Sequence, residues 1–336
     1  AEILPRLEIT LKELSENKYS LTVKDNGPGI VKKQVPNIFA KLLYGSKFHS
    51  LKMSRGQQGI GISAAGMYGL LTTGQPVEIV SKTDPNKPAY YCHVQIDTTK
   101  NQPEIVLEKD CEFDLPTGNS VTITLEGRYQ KGKRSIDEYI AQTVMANPHA
   151  TIIYNSPTGN RFEYERQTED LPFIPKEIQP HPYGVELGLL FKMIKDTKQK
   201  HLGTFLKQEF SRVSQRVAKQ ICEKAGFKTN TRTPRLTLED AENIHKAIND
   251  TKIMAPSTDC IGPIGPEKLE EGIKRVVDAD FYSVSSRSPS VYRGNPFLVE
   301  AALAYGVKDG ANKHDANEES LMQLKRIANR VPLLYQ

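Results

Sequence analysis

The sequence has no Cys-x-x-Cys pair. Cys92, Cys111, Cys222 and Cys260 are widely scattered, so zinc knuckles and a disulfide framework are set aside and four reduced thiols are expected. The histidines show no ligand spacing, and no structural metal is expected. No apolar run approaches a membrane span, Ala1 opens no signal-peptide pattern, and a cytoplasmic protein without membrane partners is the expectation. No Gly-Lys-Ser/Thr follows the glycine-rich stretches, as a P-loop would require, and their spacing is wrong for a dinucleotide fingerprint. What remains is a globular chain of 336 residues, 38% hydrophobic and 25% charged, long enough for two or three cores. Its net charge of +5 tilts it mildly toward polyanions.

The informative stretch runs from Asp25 to Ser63. Asp25-Asn-Gly-Pro-Gly29 ends a run in which Leu21, Val23 and Asp25 share one parity, so the carboxylate should face the buried side and needs a donor there. Gly27 and Gly29 leave no side chain on that side and would let a flat ligand lie against the backbone. Gly56-Gln-Gln-Gly-Ile-Gly61 runs straight into a helical pattern over 62–71. Glycines before a helix start allow consecutive amides to converge on an anion. The loop 44–59 between them carries Ser46, Lys47, His49, Lys52 and Arg55 with few apolar anchors, and reads as a lid poorly held without a ligand.

Alternation predicts a hairpin from 7–11 and 19–23, and strands over 77–81, 90–96, 104–108 and 120–125. Helices are expected over 35–43 and 135–145, giving a mainly antiparallel sheet with one helical layer. The proline-rich run 171–182 marks a junction. Helices follow over 185–197, 202–210, 213–225 and 238–249, the last capped by Thr237. From Ser257 onward strand and helix alternate: 259–264 strand, 266–277 helix, 281–286 strand, 297–305 helix, with a polar loop over 306–320. Gly127 to Arg134 is a basic loop, and Lys195, Lys198, Lys200, Arg212, Arg216 and Lys219 make the helical region basic.

In this order, with Gly45-Ser46-Lys47 between them, the two glycine clusters resemble the nucleotide fold shared by gyrase, heat-shock chaperones, histidine kinases and mismatch-repair ATPases. YGSKFHSLKMSRGQQGIGISAA (44–65) is similar to the lid of the topoisomerase VI B subunit family. The phrases CIGPIG (260–265), YRGNPF (292–297) and RIANRVPLLYQ (326–336) carry the likeness to the last residue. The resemblance implies an α+β architecture. It places a Bergerat-type ATP-binding sandwich, lacking its N-terminal helix, over 1–178 and a helix-two-turns-helix domain over 179–256. A C-terminally incomplete βαβ transducer domain, with the left-handed crossover of the family, would occupy 257–336.

It also implies ATP and Mg²⁺ as cofactors. Asp25 would accept from the adenine amine, with Gly27 and Gly29 beneath the base. Ser46 and Lys47 would reach from the lid, and the backbone of Gly56, Gln57, Gln58, Gly59, Ile60, Gly61, Ile62 and Ser63 would hold the phosphates. Gly118 matches the glycine of a family Gly-Thr pair, and Asn119, replacing the threonine, would reach the base through water. The general-base glutamate and Mg²⁺-binding asparagine are expected upstream of Ala1, and the switch lysine after Gln336. No catalytic or metal-binding residue is therefore assigned within the 336 residues, and by themselves they are expected to be inactive. Glu2 reads as a surface residue.

The implied activity is that of the ATP-hydrolysing subunit of a type IIB DNA topoisomerase. Its partners would be double-stranded DNA, contacted by Lys131, Lys133 and Arg134, the A subunit in an A2B2 heterotetramer, and a second B subunit on ATP binding. A mismatch-repair or chaperone-like ATPase stays open as an alternative. So does a DNA-binding scaffold with an inactive nucleotide site.

Overall fold

Residues 3–47, 51–292, 295–307 and 323–334 are described by a computed structural model. The first hairpin pairs β1 (Arg6–Ser15) with β2 (Lys18–Asp25) across a turn at Glu16 and Asn17, where Asn17 takes a positive φ of 58°. After α1 (Val35–Ala40) and α2 (Gly61–Thr73) come β3 (Val77–Lys82), β4 (Ala89–Asp97), β5 (Gln102–Cys111) and β6 (Gly118–Glu126). Helix α3 (Ile136–Ala146), β7 (Thr151–Asn155) and β8 (Arg161–Tyr164) complete an eight-stranded sheet of order β5-β4-β3-β6-β2-β1-β7-β8. Every neighbouring pair is antiparallel except β1 with β7.

The alternation that announced these strands is the pattern that buries them. Val77 and Ile79 of β3 and Cys92, Val94 and Ile96 of β4 point inward against Val35, Phe39 and Ala40 of α1. Helix α2 reaches the sheet through glycines. A Cβ on Gly66 would lie 2.5 Å from Val77 Cγ2, and one on Gly69 would lie 2.6 Å from the carbonyl oxygen of Thr124. The backbone therefore sits directly on β3 and β6, a contact worth the helix propensity that glycine forfeits. A second core under α3 joins Ile140, Val144, Ile152 and Tyr154 to the half-buried Leu7, Ile9 and Leu11. Strands β7 and β8 were not anticipated; the run Thr151–Asn155 followed by Ser-Pro-Thr-Gly-Asn is the hairpin signal that could have found them.

An extended segment carries the chain to α4 (Leu187–Asp196), α5 (Leu202–Glu209), α6 (Gln215–Lys224) and α7 (Leu238–Asn249), which close on a core of their own built on Leu190, Phe205, Ile221, Ile244 and Ile248. Ser214 caps α6. Thr237 forms a full capping box with Asp240 on α7. Lys195, expected as part of a basic surface, donates to the carbonyls of Leu236 (2.7 Å) and Pro234 (3.4 Å) and so ties α4 to the turn before α7.

The C-terminal region departs from expectation. Residues 259–264 are not a strand. The segment turns at Ile261, whose amide donates to the Thr258 carbonyl, and Pro263 and the left-handed Gly265 (φ 90°) forbid a ladder. Helix α8 (Pro266–Lys274) is as expected at its start, and Glu300 holds the turn before it: the amides of Ile264 and Gly265 donate to that carboxylate at 2.8 and 2.7 Å. Strand β9 (Ala279–Ser286), the hairpin β10 (Ser290–Tyr292) with β11 (Asn295–Phe297), and β12 (Glu300–Val307) follow. The alanine-rich run, expected to be helical over 297–305, is the strand β12 from Glu300 onward. Its strict alternation of half-buried and exposed residues and its antiparallel pairing with β9 override alanine's helix propensity. With β9 and β12 joined through a hairpin, the βαβ crossover is not formed among the described residues. Strands β13 (Ile327–Ala328) and β14 (Val331–Pro332) make a last small hairpin.

The expectations for Glu2, His49 and most of the 306–320 loop fall outside the described residues, save that Gly306 and Val307 end β12. All four cysteines are free thiols. Among the described residues no helix is long and apolar enough to cross a membrane.

Candidate functional site

Register brings Asp25 to its partners. It closes β2 opposite Asn119 at the start of β6, and Asn119 in turn faces Ser81 on β3. The Asp25 carboxylate accepts from the Gly27 amide at 2.8 Å and from Asn119 Nδ2, which lies 3.2 and 3.4 Å from its two oxygens. Asn119 is held in that orientation because its Oδ1 lies 2.8 Å from the Ser81 hydroxyl. That hydroxyl also accepts from the Ile30 amide at 2.7 Å. The Asn119 side chain thus contacts Asp25 directly. Ser81 was missed, although a polar residue on the Val77, Ile79, Ser81 stripe, only 3% exposed, was the available signal.

The glycines around Asp25 let backbone segments approach one another closely. A Cβ on Gly29, at φ 74°, would stand 2.2 Å from the Lys82 carbonyl, and one on Gly118, at φ 143°, would stand 2.1 Å from the Asp25 carbonyl. Gly27 borders the carboxylate itself, its missing Cβ 2.8 Å from Asp25 Oδ1. Among the described residues no cation pairs with Asp25. Its remaining lone pairs can accept from a ligand amine.

The second cluster sits at the start of α2. No side chain caps this helix and its first turn has no acidic residue, so the leading amides and the positive end of the helix suit an anion. Gly56 and Gly61 have open space where a Cβ would be, whereas a Cβ on Gly59, at φ 70°, would stand 2.6 Å from the Tyr44 carbonyl oxygen. Lys47 donates its amide to the Gln57 carbonyl at 2.7 Å, and this bond brings Ser46 and Lys47, both exposed, beside the exposed Gln57 and Gln58. The Ser63 side chain is buried and lies 3.3 Å from the Ile60 carbonyl, which leaves only its amide for a ligand. Ile60 is the N-cap residue and Ile62 points outward, 38% exposed.

The lid is better held than its composition suggests. Met53 donates its amide to the Cys260 carbonyl at 2.8 Å and receives the Gly262 amide on its sulfur at 3.1 Å. Leu51 accepts from the Ile178 amide at 3.2 Å, and Arg55 Nη2 donates to Asn147 Oδ1 at 2.5 Å. These partners lie 90 to 210 residues away in sequence, where no local pattern reaches them.

Lys131, Lys133 and Arg134 are exposed on the loop before α3. The loop is pinned at both ends: Tyr129 donates to Asp137 at 3.1 Å and the Arg134 amide donates to Glu138 at 2.6 Å. Arg134 takes a left-handed φ of 62°.

Comparison with known proteins bears on this geometry. The family described as "Histidine kinase-, DNA gyrase B-, and HSP90-like ATPase" matches residues 3–127, and the family described as "Topoisomerase VI B subunit, transducer" matches residues 256–336. The B subunit of the type 2 DNA topoisomerase 6 of Methanococcoides burtonii is 45% identical over 337 aligned residues, covering 100% of this chain and 53% of the relative. That of Archaeoglobus fulgidus is 41% identical, covering 100% of this chain and 54% of the relative. The chain thus spans about half the length of these relatives. The ADP-complexed MutL ATPase domain of Aquifex aeolicus aligns over 48% of this chain and 57% of its own at a TM-score of 0.31 and 14% identity, too loose to add to the case. With an ATPase signature over the sheet that carries Asp25, a transducer signature over the C-terminal region and full-length similarity between them, this chain belongs to the topoisomerase VI B subunit family.

Proposed function

We propose that this chain is the nucleotide-binding part of a type IIB topoisomerase B subunit, with ATP as its ligand. The observation that carries this reading is Asp25, a carboxylate fixed by Gly27 and Asn119 with acceptor capacity to spare, on the same sheet that supports the uncapped α2. Asp25 would take the adenine amine. The amides from Gly56 to Ser63 would hold the phosphates, with Ser46 and Lys47 closing from the lid. Among the described residues no group of three His, Cys, Asp or Glu side chains could hold a metal ion.

The division into 1–178, 179–256 and 257–336 is part of the same reading. The separate cores of the sheet and of the helical region support it. ATP would draw two B subunits together as a gate for duplex DNA, with strand cleavage supplied by an A subunit. The exposed Lys131, Lys133 and Arg134 are proposed phosphate contacts. Calorimetry of ADP with the wild-type chain and with Asp25→Ala tests the reading. Binding by the wild type and none by the variant is expected, and equal binding would overturn it.

A further inference from the structure

Strands β13 and β14 pair Ala328 with Val331, which leaves Asn329 and Arg330 as a two-residue turn. Both have positive φ, 51° and 66°. This is the type I′ pattern, in which Asn is at ease and the second position favours glycine. An arginine there crowds its own backbone and persists only where its side chain is engaged. Arg330 is engaged. It is 9% exposed, Nη1 donates to the Ala146 carbonyl at 3.2 Å, and Nη2 donates to the Pro263 carbonyl at 2.9 Å.

The same tip touches the lid. Asn329 Nδ2 donates to the Ser54 carbonyl at 3.3 Å. Next to Ala146, the end of α3 supplies Asn147, 3% exposed, whose Oδ1 accepts from Arg55 and whose Nδ2 donates to the Thr143 carbonyl at 2.8 Å. Two arginines, one from the lid and one from the C-terminal hairpin, thus meet successive residues at the negative end of an 11-residue helix. Burial and the nearby Arg55 charge both work against the charged form of Arg330, with Glu300 the opposing carboxylate. The assembly therefore depends on its hydrogen bonds being kept.

We propose that Arg330 and Asn147 are positioning residues for the nucleotide lid: the hairpin tip and the end of α3 form a clasp that fixes Ser54 to the C-terminal hairpin and Arg55 to the end of α3. Since Arg55 immediately precedes Gly56, the clasp sets where the amide cradle begins. This last clause rests on the nucleotide reading; the clasp itself does not.

The test uses the 336-residue chain. Arg330→Gly creates an Asn-Gly turn, which favours the hairpin while deleting the guanidinium, and Asn147→Ala removes the other half of the clasp from a different element. Amide hydrogen exchange at Met53, whose amide is bonded to Cys260, should accelerate about tenfold or more in both variants, with Ala64 inside α2 unchanged. ADP affinity should fall about fivefold or more in each. Unchanged Met53 exchange in both variants overturns the clasp. Faster exchange with unchanged ADP affinity overturns its positioning role. A wild-type chain that binds no ADP instead defeats the nucleotide reading, and the exchange comparison still decides the clasp.

Discussion

Replacing Asp25 with Asn keeps the shape of the site and inverts one of its donors. In the native cluster Asp25 Oδ1 accepts from Gly27 at 2.8 Å and Oδ2 lies 3.2 Å from Asn119 Nδ2. While Asn119 keeps its oxygen on the Ser81 hydroxyl at 2.8 Å, the new amide, with its own oxygen toward Gly27, sets its NH₂ against the NH₂ of Asn119. That loses the bond to Asn119 in the free and bound protein alike, and it presents a donor to the amine of an adenine, so binding loses a charge-assisted hydrogen bond worth roughly 1.5–3 kcal/mol. A loss near 3 kcal/mol in binding is a fall in affinity of about a hundredfold. Calorimetric titration with ADP measures it, and urea denaturation separates the binding effect from the stability effect. A variant that folds normally and binds ADP within threefold of wild type would refute the reasoning.

Gly118→Ala should lower the melting temperature sharply, since its Cβ would lie 2.1 Å from the Asp25 carbonyl in a strained backbone region; an unchanged transition would mean that β2 and β6 do not approach as described. His149 is 5% exposed, and burial, reinforced by the charges of Arg330, Arg55 and Lys268, lowers its pKa from 6.5 to about 4. The unfolded chain therefore binds the extra proton first: stability is held above about pH 6.5 and falls by roughly 3 kcal/mol as the pH drops to 4, a slope that His149→Gln should remove in urea titrations. Charge reversal at Lys131, Lys133 and Arg134 should weaken duplex DNA binding. If all three contact phosphates, it should flatten the salt dependence by about 0.9 per contact; an identical slope would return the loop to plain surface.

The parts legible in the sequence were those written in local period. Leu7 to Leu11, Tyr19 to Val23 and Val77 to Ser81 alternate because one face of each is covered, and the sheet follows. Asp25 was legible as a carboxylate needing a donor, but the donor Asn119 becomes a neighbour only through β2–β6 register, which no single strand encodes. The 297–305 run misled because alanine's propensity and its alternation point to different structures, and pairing with β9 decides between them. Met53 carries no local signal of its anchoring, since the Cys260 and Gly262 that hold it stand some 200 positions later.

Helix α8 lies so close to the end of α3 that a Cβ on Gly272 would stand 2.1 Å from the Met145 carbonyl. Where two helices meet backbone to backbone, no layer of side chains remains for one to glide across the other. Shear is blocked at that point, and tilting is the freedom left. Gly272 would in this sense be a fulcrum: any tilt of α8 about that point would be carried to β9 and β12, the strands packed on it.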